Sequence, residues 1–266
     1  MVGTEGRGAL DCGQFSSRDR RFPPCRAAPR PGLILRCPAL AAVPAGRVRA
    51  PARRPGAVLP PPMTSLTRHP HASLLRQQLR RNFLLSDLGE RDWAALEPML
   101  SIVECRKGEP LECQGAVTME QYFILDGILK RVVSNPEGKE MILRFAGEQE
   151  FDTSYAAWRL GTPIPFSIRA VTPVRAAKLS MEEWVGFLDR HPSLKARFEF
   201  EVMKLMSEVM AHTITLHLLD APGRVARFMR KHRELVDRLP KKELASYLNL
   251  SPETLSRLKQ RGKIPA

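Results

Sequence analysis

The sequence predicts an α+β chain: an antiparallel β-roll with flanking helices, a long helix, and a C-terminal helix-turn-helix. Three observations predict it. Short apolar runs between 102 and 179 alternate with period two and are cut by turn residues. From Phe198 to Leu219 apolar positions recur at intervals of 4 and 3. Two helical stretches within 239–258 flank a tight-turn signature. Strands at regular short spacing favour a roll or barrel. The 4-3 interval is that of an apolar helical seam.

Residues 1–62 stand apart. They hold 11 Arg, no Lys and only three acids (Glu5, Asp11, Asp19), a net +8 of the chain's +14. They also hold 11 of the 23 prolines, which helices and strand ladders both tolerate badly. The segment reads as a disordered Arg/Pro-rich extension. A start at Met63, with 1–62 lying upstream of it, is favoured over a functional basic arm and over a transit peptide. The remaining 204 residues carry +6, so the folded part is only moderately basic.

The elements then follow in order. Leu74, Leu75 and Leu79 recur at helical spacing, as do Trp93, Leu96 and Leu100 after Ser86-Asp87. Strands are expected around Tyr122–Leu125 and Ile128–Val133. Turns are expected at Lys107-Gly108, Gln114-Gly115, Asp126-Gly127, Asn135–Gly138 and Gly147-Glu148. After Pro192 the seam runs through Phe198, Val202, Leu205, Val209, His212, Leu216 and Leu219. A partner helix is the favoured cover for so regular a seam, which implies a homodimer. The plainer reading is a helix packed on its own domain. Asp220–Gly223 breaks that helix, and another starts at Arg224. The expected divisions are 63–192 for the roll and its N-terminal helices, 193–220 for the long helix and 221–266 for the helix-turn-helix.

The stretch Leu239–Leu258 carries the strongest local signal. Ala245 is small where two helices must cross closely. Asn249 stands where the turn needs a left-handed residue. Ser251 can cap the second helix, with Pro252 at its first position. Leu244, Leu248, Leu255 and Leu258 form the inner face. Ser251, Glu253, Thr254, Ser256, Arg257, Lys259 and Gln260 are then left for double-stranded DNA. Such a helix enters the major groove, where an arginine can donate twice to guanine and a glutamate accept from cytosine. Lys241, Lys242, Lys259 and Arg261 suit phosphates.

This order of parts resembles the CRP/FNR family of bacterial regulators over roughly 70–264. Asp126–Lys130 followed by Pro136–Leu143 is similar to the central hairpin of that family's cyclic-nucleotide-binding-like jelly roll. Leu218–Ala226 resembles its hinge, and Glu253-x-x-Ser256-Arg257 its FNR-like recognition helix. The resemblance implies a homodimer on an inverted TTGAT-type repeat, RNA polymerase as a partner and a cytoplasmic location. Cyclic-AMP-binding members hold the phosphate with Gly-Glu and Arg-Ser. Here those places carry Thr153-Ser154 and Ile164-Pro165, and the purine-contacting hydroxyls are replaced by Val209 and Met210. An effector pocket is therefore expected around Thr153, Ser154, Tyr155, Trp158, Val209 and Met210, for an unknown effector other than cyclic AMP. Arg159 or Arg169 substitutes for the lost arginine if the alignment is slipped. Relatives commonly continue into a β-wing, which is expected to be absent before Ala266.

Other classes are disfavoured. No apolar run is long enough to span a bilayer, so no membrane partner is expected. The five cysteines include no C-x-x-C pair, and none lies between 63 and 104, so neither a zinc site nor an iron–sulfur cluster is expected. No cofactor is predicted. Haem through His69, His71, His191, His212 or His217 is the weaker alternative to structural histidines. No phosphate-cradling glycine loop or nucleophile motif signals an enzyme. The competing class is a ligand-sensing module that acts through protein contacts instead of DNA.

Overall fold

The alternating apolar runs become nine strands among the described residues, arranged in two antiparallel sheets. The computed structural model describes residues 63–260. Residues 1–62, with the extension expected there, and 261–266 lie outside the described residues, as does the Lys259 side chain.

One sheet runs in the order β1 (Met63–Ser65), β2 (Ser101–Cys105), β9 (Val174–Ser180), β4 (Glu120–Asp126) and β7 (Phe151–Thr153). The other runs β3 (Pro110–Glu112), β8 (Ser167–Ala170), β5 (Leu129–Ser134) and β6 (Glu140–Ala146). The β5–β6 hairpin pairs Leu129 with Ala146 and Ser134 with Glu140, with one bulge after Arg131. Gly127 precedes it at φ 88°, and a Cβ there would lie 2.1 Å from the Pro173 carbonyl oxygen. Only glycine allows that approach.

Helices flank the sheets. The N-terminal stretch gives α1 (Ala72–Arg80) and α2 (Glu90–Leu96), separated by turns. A short α3 (Tyr155–Leu160) follows β7. Next, α4 (Met181–Asp189) opens with a capping box in which Ser180 and Glu183 satisfy each other's backbone N–H groups. The long helix is α5 (Pro192–Leu218), followed by α6 (Ala221–Lys231), α7 (Lys241–Tyr247) and α8 (Pro252–Gln260).

Two cores hold these elements. In the first, Trp184 of α4 meets Phe123 and Phe198 edge-on at 5.4 Å. That packing draws the start of α5 onto the roll. The second core lies on the outer face of the β5–β6 sheet. There Ile128, Val132, Ile142 and Phe145 pack with Val225, Phe228, Leu239, Leu244 and Tyr247 of the C-terminal helices. Lys130–Glu243 at 2.7 Å and a two-pronged Arg238–Glu148 pair close its rim.

Two expectations need correction. The 4-3 seam does not wait for a partner. Phe198, Val202, Leu205 and His212 are buried by the chain's own roll and α7. A second stripe on α5, Phe200, Met203, Met206, Met210, Ile214 and Leu218, is the exposed one. The helix is apolar on two sides, and the regular spacing marked the inward side. The break is also shorter than expected. It falls at Leu219–Asp220, and Pro222 and Gly223 already belong to α6, where Asp220 accepts a capping bond from the Gly223 N–H at 2.9 Å.

Candidate nucleic-acid interface and effector chamber

The α7–α8 pair is built as its residues require. Ala245 is fully buried at the crossing. The turn places Asn249 at φ 52°, and the Leu250 N–H returns to the Ala245 carbonyl at 2.9 Å. Ser251 Oγ accepts from the Thr254 N–H at 3.1 Å, capping α8, with Pro252 as its first residue. Leu244, Leu248 and Leu255 face inward.

Ser251, Glu253, Ser256, Arg257 and Gln260 are exposed, and Thr254 is half-buried beside them. Among the described residues Arg257 makes only a 3.4 Å contact with the Thr254 hydroxyl, so its guanidinium is nearly uncommitted there. Hydrogen bonds from its own backbone N–H and from Ser251 hold the Glu253 carboxyl below its usual range. It therefore presents as an acceptor. Lys241 and Lys242 are exposed at the start of α7. The arrangement offers a donor fork, a carboxylate and hydroxyls on one face of a helix whose other face is anchored.

The expected effector residues are not brought together in one cavity. Thr153, Ser154 and Tyr155 are buried where β7 runs into α3. Trp158 stacks on Tyr155 with ring centroids 6.2 Å apart. The Tyr155 hydroxyl donates to Glu199 of α5 at 2.6 Å, and burial with that bond pushes its pKa up to about 12. Val209 lies ten residues farther along α5, about 15 Å away. It lines a separate cleft of about 300 Å³ with Arg144, Glu208, His232 and Tyr247. Met210 is 61% exposed and faces away.

The interior of the roll holds buried charges that the sequence reading missed. Arg131 of β5 is buried, and its guanidinium donates to the Asp152 carboxylate and to the Thr153 carbonyl at 3.0 Å. It lies over the Phe166 ring at 4.0 Å. Burial lowers the Arg131 pKa, and the neighbouring Asp152 charge opposes that shift. Glu112 of β3 accepts from Ser154 Oγ at 2.6 Å and from the Glu120 N–H at 2.9 Å. Burial raises its pKa to about 7. One signal was available: Arg131 is two residues from Leu129, and so shares an apolar face in a strand. Neither suggested substitute enters this interior. Arg169 pairs with Glu140 at 2.5 Å in a part-exposed position, and Arg159 sits over the Tyr155 ring at 5.9 Å.

Two of the histidines are packed against aromatic rings of the chain. His212 stacks on Tyr247 at 3.8 Å, and His191 Nδ1–H donates to the Phe187 carbonyl at 2.7 Å. Cys105 is buried, which raises its pKa to about 11, and Cys113 is exposed. Among the described residues no cluster of His, Cys, Asp or Glu is arranged to hold a metal ion. No helix among them is long and apolar enough to cross a membrane.

Comparison with known proteins matches the Cyclic nucleotide-binding domain family to residues 102–191. The nitrogen fixation regulation protein FixK of Bradyrhizobium diazoefficiens is 24% identical over 190 residues, covering 67% of this chain and 78% of FixK. The cAMP-activated global transcriptional regulator CRP of Salmonella typhimurium is 21% identical over 155 residues, covering 54% of this chain and 74% of CRP. Among solved structures, the c-di-GMP-responsive global regulator CLP of Xanthomonas campestris superposes with a TM-score of 0.54 at 16% identity. That match covers 65% of this chain and 89% of CLP, and it supports the fold.

Proposed function

From a chain that carries a cyclic nucleotide-binding domain and is homologous to the CRP/FNR-type transcription regulators FixK and CRP, we propose a homodimeric, sequence-specific DNA-binding regulator that is not an enzyme. The observation that carries this reading is the solvent-facing row Glu253, Ser256 and Arg257 on a capped, anchored α8. In this reading α8 lies in the major groove, with Arg257 donating to guanine, Glu253 accepting from cytosine and Ser256 adjusting to either base. Ser251, Thr254, Lys259 and Gln260 complete the contact set, and Lys241 and Lys242 hold phosphates. The functional divisions are 63–192 for the sensor, 193–220 for dimerisation and 221–266 for DNA. RNA polymerase is the onward partner.

Selection of duplexes from a random pool by the full chain, followed by titration at two salt concentrations, tests it. An inverted TTGAT-like repeat is expected, and Arg257→Ala is expected to cost about 1–3 kcal/mol, concentrated at one guanine. Absence of DNA binding at every salt concentration would overturn the reading in favour of a module acting through protein contacts.

The dimer face in this reading is the exposed α5 stripe, paired with its own copy about a two-fold axis. Ile214→Glu is expected to convert the dimer to monomer in sedimentation, while the melting temperature of the roll is little changed. A variant that stays dimeric would move the interface elsewhere.

The effector in this reading is not cyclic AMP. A cyclic phosphate beside Thr153–Ser154 would meet the Asp152 carboxylate, and Pro165 has no N–H to offer it. The one interior guanidinium described there is already paired. Calorimetry with cyclic AMP is expected to show no binding in the micromolar range. A micromolar isotherm would sink this part of the proposal.

A further inference from the structure

We propose that Arg224 is a positioning residue: it staples the end of α5 to the turn from which α8 starts, and so sets where the recognition surface lies relative to the dimer axis. The inference rests on the DNA-reading dimer proposed above and names the side chain that gives it its geometry.

Arg224 belongs to the first turns of α6, yet its side chain serves the two helices on either side. Its Nε donates to the Leu219 carbonyl at 2.9 Å. Its Nη1 donates to the Leu248 carbonyl at 2.9 Å and to the Asn249 carbonyl at 3.3 Å. Leu219 is the C-cap of α5 and Leu248 the C-cap of α7. Carbonyls at helix C-termini have no partner within the helix and carry the negative end of its dipole. One planar, permanently charged fork thus answers two helix ends at once. Among the described residues Arg224 forms no ion pair with a carboxylate, so these carbonyls are its defined partners.

The position gives the staple its consequence. Asn249 is the turn residue at φ 52°, and Ser251, two residues on, caps α8. The path from the last turn of α5 to the first turn of α8 through the Arg224 side chain is therefore only a few bonds long. The covalent path runs through α6, the segment after it and α7. A dimer organised along α5 holds its two α8 helices at a separation that this short path determines. Half-site spacing follows from that separation. Lysine keeps the charge but is a single point donor on a flexible stem, and cannot bridge both ends.

The test uses the full chain as wild type, Arg224→Lys and Arg224→Ala. Each is titrated on the selected inverted repeat, on that repeat with its spacer lengthened or shortened by one base pair, and on a single half-site, at several salt concentrations. Amide hydrogen exchange is measured without DNA. Both variants are expected to bind the repeat on the order of tenfold more weakly, the equivalent of one charge-assisted hydrogen bond. Half-site affinity and the salt slope should stay at wild-type values, the spacer preference should flatten, and exchange should quicken at 248–256 while the roll is unchanged. A salt slope lower by about one, with spacer preference retained, would make Arg224 a phosphate contact and overturn the proposal. So would wild-type binding by Arg224→Lys on every duplex. If the wild-type chain itself selects no sequence, the DNA-reading proposal fails separately. Hydrogen exchange then decides the staple, and unchanged protection at 248–256 in Arg224→Lys overturns it.

Discussion

Arg131→Ala is expected to destabilise the folded chain by about 3–5 kcal/mol, measured by denaturant unfolding of the full chain. The Asp152 carboxylate is fully buried, and Arg131 is its close cationic partner. Arg144 lies 3.7 Å from the other carboxylate oxygen, Oδ2, while the Thr153 N–H donates at 2.8 Å to Oδ1, the oxygen that Arg131 contacts. These contacts soften the loss but do not replace a guanidinium. Removing one member of a buried pair leaves a charge in a poorly polarisable interior, which costs more than the pair contributed. The double variant Arg131→Met with Asp152→Leu removes both charges at similar volume, and should recover most of the stability or exceed wild type. If the double variant is as unstable as the single, stranded charge is not the cause and the prediction fails.

Acidification is expected to loosen the α7 contact with α5 by up to about 3 kcal/mol between pH 7 and pH 4, through His212. The His212 ring lies parallel to Tyr247 at 3.8 Å, it is 9% exposed, and its Nε2 has no hydrogen-bond partner among the described residues. Burial, with His232 just past α6 and Lys231 at its end close by, lowers its pKa to about 4. Arg227 and Arg224 of α6 and Glu208 of α5 share the same small cleft. The unfolded imidazole titrates near 6.5. Between 6.5 and 4 the unfolded chain therefore binds the proton and the folded chain does not, so this stability is complete above 6.5 and is lost as pH falls. Glu112 works the other way. Its folded pKa of about 7 exceeds the unfolded value, so its contribution is present at low pH and is lost as pH rises through 7. The two oppose each other across the same window, and the whole-chain curve understates both. The informative quantity is the stability difference between wild type and His212→Phe, which keeps a ring against Tyr247 but cannot titrate. That difference should shift by about 3 kcal/mol from pH 7 to pH 4. A difference independent of pH would refute the assignment.

Much of the architecture is legible in the residues. The apolar run Tyr122–Leu125 falls in β4, most of Ile128–Val133 falls in β5, and the Asn135–Gly138 turn joins β5 to β6. Asn249, Ser251 and Pro252 adopt the turn, cap and first-residue roles their chemistry suits, because those roles depend on atoms only a few bonds away. The pocket was less legible. Thr153, Ser154 and Tyr155 are neighbours in chain and in space, whereas Val209 and Met210 lie on different sides of α5 from each other. An alignment places residues along a helix. It does not say which face of that helix the rest of the chain covers.

The sequence by itself determined the strands, the long helix, the capped α8 and the outward row Glu253, Ser256 and Arg257. Each of these follows from short-range sterics, period and capping. Only the tertiary structure decided which apolar stripe of α5 is consumed within the chain, that Asp152 meets Arg131 across 21 residues, and that Arg224 joins two helix ends. The physical reason is the same in all three cases. Periodicity and composition state that a face must be covered or a charge answered, while the identity of the cover depends on which distant groups the packed sheets and helices bring within a few ångströms.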